Sequence, residues 1–200
     1  SLVGSEMCIR DSQAAMWRME NPDFVISVNV SYIQILQEGF REMVTRIVEE
    51  SGTPEKQLIQ ELTESCKVSD PNGLRDDFEY FKNMGINMAL DDFGTEYSSI
   101  ALLRKLKPQW IKIDHTFVRS IQDDEMDQAI LEYIMNLSKQ TRIKVCVEGV
   151  ENKEILSVVQ TYKPELLQGY YYSRPCPAEE FSKKYFNGKD KTGSYGCLKK

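Results

Sequence analysis

Short β-rich runs alternate with amphipathic helical stretches along nearly the whole chain, and few folds accommodate that alternation. The strand candidates are Phe24 to Val30, Leu58 to Leu62, Asn87 to Leu90, Trp110 to Ile113, Lys144 to Val147 and Leu166 to Tyr171. Helical periodicity occupies the intervals at Ile35 to Ser51, Asp76 to Met84, Ser98 to Leu106, Met126 to Gln140 and Lys153 to Tyr162. Ser51-Gly52-Thr53-Pro54 and Asp70-Pro71-Asn72-Gly73 read as loops. A helix between every two strands lets consecutive strands run in the same direction, so the expected fold is α/β with a parallel sheet. Such a sheet is either open and doubly wound or closed into a barrel.

Composition narrows the function classes. Hydrophobic residues make up 41% and charged residues 28% of the 200, as in a folded globular chain. No apolar run approaches the roughly 18 residues of a membrane helix. The net charge is −6 with Lys and Arg scattered, which disfavours a DNA or RNA polymer as partner. Five cysteines, odd in number and without CxxC spacing, point to a reducing, cytoplasmic compartment rather than a disulfide framework, and a single histidine, His115, argues against zinc.

Nearly every strand candidate ends in a carboxylate, amide or lysine: Asn29, Glu61, Asp91 with Asp92, Lys112 with Asp114, Glu148 and Gln168. In an α/β barrel the C-terminal strand ends converge on one mouth, where the chemistry is placed. Several carboxylates gathered there would repel one another, and hard oxygen donors favour Mg²⁺ or Mn²⁺ as the remedy. Each residue taken singly has a plainer reading. Asn29, or one of Asp91 and Asp92, suits a helix cap or turn, and Lys112 could pair with Asp114 as a structural ion pair.

Taken together, the stretches Ser27-Val28-Asn29-Val30-Ser31, Glu61-Leu62-Thr63-Glu64-Ser65, Asp91-Asp92-Phe93-Gly94-Thr95, Lys112-Ile113-Asp114 with Phe117-Val118, Glu148-Gly149-Val150-Glu151, and Gln168-Gly169-Tyr170 leading to Ser173-Arg174-Pro175 resemble the EAL domain family of cyclic di-GMP phosphodiesterases. The resemblance runs in order from about Asn21 to Phe181. It implies a TIM-type (β/α)8 barrel, a two-metal site for Mg²⁺ or Mn²⁺, and hydrolysis of cyclic di-GMP to linear pGpG. Under it Asn29, Glu61, Asp91 and Asp92 are metal ligands, and Glu148 is both ligand and general base. Lys112 orients the attacking water, Gln168 contacts the metal-water cluster, and Asp114 is a second-metal or lysine-orienting carboxylate. Glu64 and Glu151 anchor the loop after Asp92. The resemblance also admits a homodimer and upstream sensory or GGDEF-type domains, with membrane anchoring upstream.

Two departures stand out. Residues 1–12 have no helix or strand logic and resemble a translated sequencing adaptor, and the Glu-Ala-Leu tripeptide, which the family carries on an early strand, does not occur. The expected organisation is therefore an adaptor-like segment at 1–12, a partial domain at 13–186 lacking about two strands and impaired by their loss, and a disordered tail at 187–200. Second, Glu96 stands where the family usually has glycine, which stiffens that loop and adds negative charge. The other readings are a catalytically degenerate receptor that binds cyclic di-GMP without cleaving it, and a scaffolding barrel without ligand.

Overall fold

The alternation resolves into six parallel strands hydrogen-bonded in sequence order: β1 (Ile26–Ser31), β2 (Leu58–Thr63), β3 (Asn87–Phe93), β4 (Trp110–Ile113), β5 (Lys144–Val147) and β6 (Leu166–Leu167). The computed structural model describes residues 16–63, 70–95 and 100–186. Residues 1–12 and 187–200, Glu64 and Glu96 lie outside the described residues. This is the parallel α/β arrangement of a TIM-type barrel, and the sheet is not closed among the described residues, with β1 and β6 at its edges. The helices are α1 (Tyr32–Ile35), α2 (Phe40–Ser51), α3 (Pro71–Asn83), α4 (Ile100–Leu106), α5 (Thr116–Arg119), α6 (Glu125–Thr141), α7 (Lys153–Val159) and α8 (Ala178–Tyr185). Among the described residues no helix is long and apolar enough to cross a membrane.

Side-chain chemistry accounts for the element boundaries. Asp70-Pro71-Asn72-Gly73 is not a loop: the Asp70 carboxylate accepts hydrogen bonds from Asn72 N (3.0 Å) and Gly73 N (3.1 Å), and Pro71 occupies the first helical position of α3. Proline is suited to that position because its missing N–H would have no intrahelical partner there. Ser31 closes β1 and opens α1 through a capping box, giving its N–H to Gln34 Oε1 (2.8 Å) while its hydroxyl accepts from Gln34 N (3.3 Å). The helix expected from Ile35 to Ser51 instead begins at Phe40 as α2, and Tyr32–Ile35 ahead of it forms the short α1. β6 pairs only over Leu166–Leu167, shorter than the run to Tyr171, because the chain turns at Gly169: Tyr172 N bonds back to Gly169 O at 3.1 Å.

The strands' two faces differ. One packs Val28, Val30, Leu62, Leu90, Ile111, Ile113 and Val147 against Phe78, Phe81, Leu102, Leu131 and Ile134 of the helices, all buried. Each such side chain contributes about 1.5–3 kcal/mol on burial. The other face carries a smaller apolar set, Ile59, Ala89 and Trp110, with Leu166 packed on it. Alternation along the strands places Glu61, Asp91 and Lys112 two residues beyond Ile59, Ala89 and Trp110, on the same face and one pleat nearer the C-terminal ends.

Gln60 breaks the pattern on the helix-facing side. It is fully buried beside Leu58 and Leu62, and neither its amide oxygen nor its nitrogen has a hydrogen-bond partner. Replacing Gln60 with leucine should raise stability by about 1–3 kcal/mol, since it removes a desolvated amide at similar volume. A urea midpoint that fails to rise would show that the amide is satisfied in solution.

The two ends of the described chain meet at an aromatic cluster. Trp17, in a helical segment at residues 16–20, packs on Phe24, Phe181 and Phe186 with ring centroids 4.7–6.3 Å apart. Its indole N–H donates to Ser182 Oγ of α8 at 2.7 Å.

Candidate metal and phosphodiester site

Strand register brings residues far apart in sequence to one point. Lys112 Nζ lies 2.8 Å from Glu61 Oε2, 2.6 Å from Glu148 Oε1 and 3.1 Å from Asp91 Oδ1. Lys112, Glu61 and Asp91 are buried and Glu148 is nearly so. Burial works against the ammonium, but Glu61, Glu148 and Asp91 outweigh it and hold its pKa well above the usual lysine value. The sequence left open a pairing of Lys112 with Asp114; the structure pairs it with these three carboxylates instead.

Asp114, also buried, has other partners: it accepts from Thr116 N at 2.9 Å, from the Thr116 hydroxyl, and shares a 2.9 Å contact with His115 Nδ1. Burial pushes its pKa up, yet the Thr116 hydrogen bonds and His115 prevail and leave it below the ordinary aspartate value. His115 is exposed apart from this contact. Thr116 was not singled out from the sequence, although Asp followed two residues later by Thr ahead of a helix is an Asx-turn signal.

Asp91, Asp92 and Glu148 form a second grouping, with carboxylate oxygens within 4.8 Å of one another. Asp92 reaches it through a left-handed backbone (φ 49°), at a register shift between β3 and β4 that falls between Leu90 and Phe93. A non-glycine residue there is strained, and such strain concentrates at functional sites. The Asp92 pKa is raised by burial and by the charges of Asp91 and Asp114. That of Glu148 is raised by burial, against the opposing pull of Lys112.

This trio suits a hard divalent cation. Asp91 Oδ1 is buried and, although within ion-pair distance of Lys112, has no hydrogen bond, so it has capacity for a further positive partner. The donors are all oxygen, which matches Mg²⁺ or Mn²⁺ rather than a softer metal. Because ligands must ionise to bind, and both Asp92 and Glu148 have raised pKa values, stability of the metal-free chain falls as pH rises through their folded-state values. The increase in Tm on adding Mn²⁺, relative to EDTA, should therefore grow between about pH 5 and pH 8. A pH-independent increase would place the cation elsewhere.

The other sequence candidates stand further out. Asn29 is exposed on β1, in register beside Glu61. Gln168 is exposed just beyond β6, with its backbone N–H bonded to Val147 O at 2.9 Å. Glu151 is exposed. Two glycines allow the strand-end loops to meet. Gly149 has φ 75°, and a Cβ there would fall 2.5 Å from His115 Cβ. A Cβ on Gly169 would fall well inside van der Waals contact distance of the Val150 backbone N and O.

A family model described as EAL domain matches residues 6–175. The cyclic di-GMP phosphodiesterase PdeL of Escherichia coli is 34% identical over 161 residues, 80% of this chain and 44% of PdeL. Several other curated relatives are matched over about a quarter of their length. Among solved structures, the MucR phosphodiesterase of Pseudomonas aeruginosa in complex with c-di-GMP superposes with a TM-score of 0.82 at 29% identity, covering 90% of this chain and 73% of that one. The manganese and cyclic di-GMP complex of BlrP1 from Klebsiella pneumoniae gives 0.79 at 25% identity, covering 86% and 44%.

Proposed function

The chain belongs to the EAL domain family, and from that membership we propose that its carboxylate and lysine centre hydrolyses cyclic di-GMP to linear pGpG with the help of two divalent cations, Mg²⁺ or Mn²⁺. The observation that carries this reading is the convergence of Glu61, Asp91 and Glu148 on Lys112, beside the Asp91, Asp92 and Glu148 trio. The cations, held by Asp91, Asp92, Glu148 and Glu61 with Asn29 at the rim, would lower the pKa of water and offset charge on the phosphoryl oxygens.

The chain's own residues supply the rest. Glu148 Oε1 is tied to Lys112, so Oε2 is the atom that takes the proton from the attacking water. Its raised pKa brings it closer to neutrality, where a general base works best. Lys112, fixed by three partners before substrate arrives, needs little reorganisation to stabilise negative charge developing on a phosphoryl oxygen. As the water oxygen bonds to phosphorus, one ester P–O bond breaks and the departing ribose oxygen takes up a proton from solvent water, while Glu148 later returns its proton to solvent. The cyclic dinucleotide is thereby opened to the linear one. Ile59, Ala89 and Trp110 form a dry floor beneath this layer, which strengthens every charge interaction above it. Gln168, exposed just beyond β6, would help orient the substrate, and Asp114 holds its own loop through Thr116.

Incubating the chain with cyclic di-GMP and Mn²⁺, and separating products by chromatography, tests the reading. Linear pGpG should appear and EDTA should stop it. Binding without product would favour a receptor that holds the cyclic dinucleotide uncleaved, and absence of binding would defeat both.

A further inference from the structure

A groove of about 370 Å³ lies between α3 and α4, at the opposite end of the strands from the carboxylates. Arg75, Glu79 and Lys82 of α3 line one wall, and Arg104, Lys105 and Lys107 of α4 and its exit line the other. Five cations thus face one carboxylate in a chain whose net charge is −6. The floor is Phe78 and Leu106, both buried in the core, and Gln109, whose side-chain oxygen accepts from Met88 N at 2.8 Å. The walls therefore stand on a fixed base.

Helix electrostatics explain only part of this charge. Lys82, Arg104 and Lys105 lie in the last turns of α3 and α4, where the macrodipole favours cations. Arg75 lies in the N-terminal half of α3, where the dipole offers a cation nothing. Its exposed ion pair with Asp76 at 3.0 Å contributes little. Lys107 is held at φ 49°, immediately before Pro108, at a helix end where glycine or asparagine is the ordinary occupant. A lysine kept in a strained backbone, facing four other cations, calls for an anionic partner.

We propose that this groove binds a small ligand carrying a diphosphate group. Guanidinium forks and ammonium groups on two walls suit several phosphate oxygens at once. The volume sits at the lower end of the range for small-molecule sites, too small for a folded partner's surface. The diphosphate could be inorganic or part of a nucleoside diphosphate, and the two sources are separable by titration.

The test is calorimetry on the 200-residue chain in EDTA, which keeps divalent cations from recruiting phosphate to the carboxylate centre. Pyrophosphate, GDP and sulfate serve as probes against the wild type and the double variant Arg104→Glu, Lys107→Glu. Pyrophosphate should bind at least tenfold more tightly than sulfate, and the double variant should lose at least tenfold in affinity while keeping its circular dichroism spectrum and, assayed separately with Mn²⁺ in place of EDTA, the wild-type activity toward cyclic di-GMP. GDP binding more tightly than pyrophosphate would support the site with a nucleotide as its ligand, and equal binding would support the site with the diphosphate alone recognised. If the double variant loses its fold, Lys82→Gln replaces it and should weaken pyrophosphate at least threefold. No binding to the folded wild type, sulfate binding as tightly as pyrophosphate, or pyrophosphate affinity unchanged in a folded variant would each overturn the proposal.

Discussion

Replacing Lys112 with methionine should destabilise the metal-free chain by about 3–5 kcal/mol, the usual result of removing one partner from a buried ion cluster. For a chain of this size that corresponds to a fall in Tm on the order of 10 °C. Methionine fills a similar volume, so the loss is chiefly electrostatic. Glu61, Asp91 and Glu148 would be left facing one another with no cation, one pleat above an apolar floor. Without the ammonium, their mutual repulsion favours uptake of protons by the folded variant. The variant's deficit should accordingly shrink as pH is lowered toward the carboxylate range and widen as pH rises through it. Lys112 itself, with its pKa held above the ordinary value, gives wild-type stability that is fully present below about pH 10. Mn²⁺ should restore part of the variant's Tm by substituting one positive charge for another, and under the proposed function, in which Lys112 is a preorganised donor to the phosphoryl oxygens, turnover of cyclic di-GMP should stay at least about a hundredfold down. An unchanged Tm in EDTA would mean that the cluster contributes no net stability.

Gly169→Ala is expected to cost about 3 kcal/mol without touching any charged group. The added methyl would overlap the Val150 backbone, and that backbone is committed at both ends: Val150 N donates to Gln168 O at 3.0 Å and Tyr171 N donates to Val150 O at 3.0 Å. Relief of the clash means breaking one or both bonds and moving Gln168 away from the mouth. Amide exchange should accelerate at Val150 and Tyr171 before it does in β2 and β3. A variant with wild-type exchange there would show that the loops separate at little cost.

Why the sequence foretold β4 and β5 to the residue but misjudged Asp70 and Leu166 has a physical answer. Trp110–Ile113 and Lys144–Val147 are β-rich runs bounded on both sides, so local preference and tertiary burial agree. Asp70-Pro71-Asn72-Gly73 has the composition of a turn, and only the orphan N–H groups of a following helix turn the same residues into a cap. Leu166 to Tyr171 looks extended to the end, but the close approach of Gly169 to Val150, which depends on another loop, stops the pairing at Leu167.

The same division applies to the site. That Glu61, Asp91, Lys112 and Glu148 belong together was legible because each lies near the C-terminal end of a strand, and parallel strands in register bring those ends together. Which carboxylate would face Lys112 was not legible. That depends on which strand neighbours which and on the pleat, and Asp114, two residues along the chain, turns instead to Thr116. The unpartnered amide of Gln60 was equally hidden, because a glutamine in a strand gives no local sign of which face it will occupy.

The contact between Trp17 and Ser182 also bears on the order in which the chain assembles. Every strand pairs with its immediate successor, so β1 through β6 can add one after another with short loops to close. The aromatic cluster instead joins residues 165 positions apart, and that closure entropy is repaid only once the intervening sheet holds both ends near each other. It should be the last contact to form in refolding and the first to open under native conditions. Indole fluorescence from Trp17 would then report completion of folding rather than its onset.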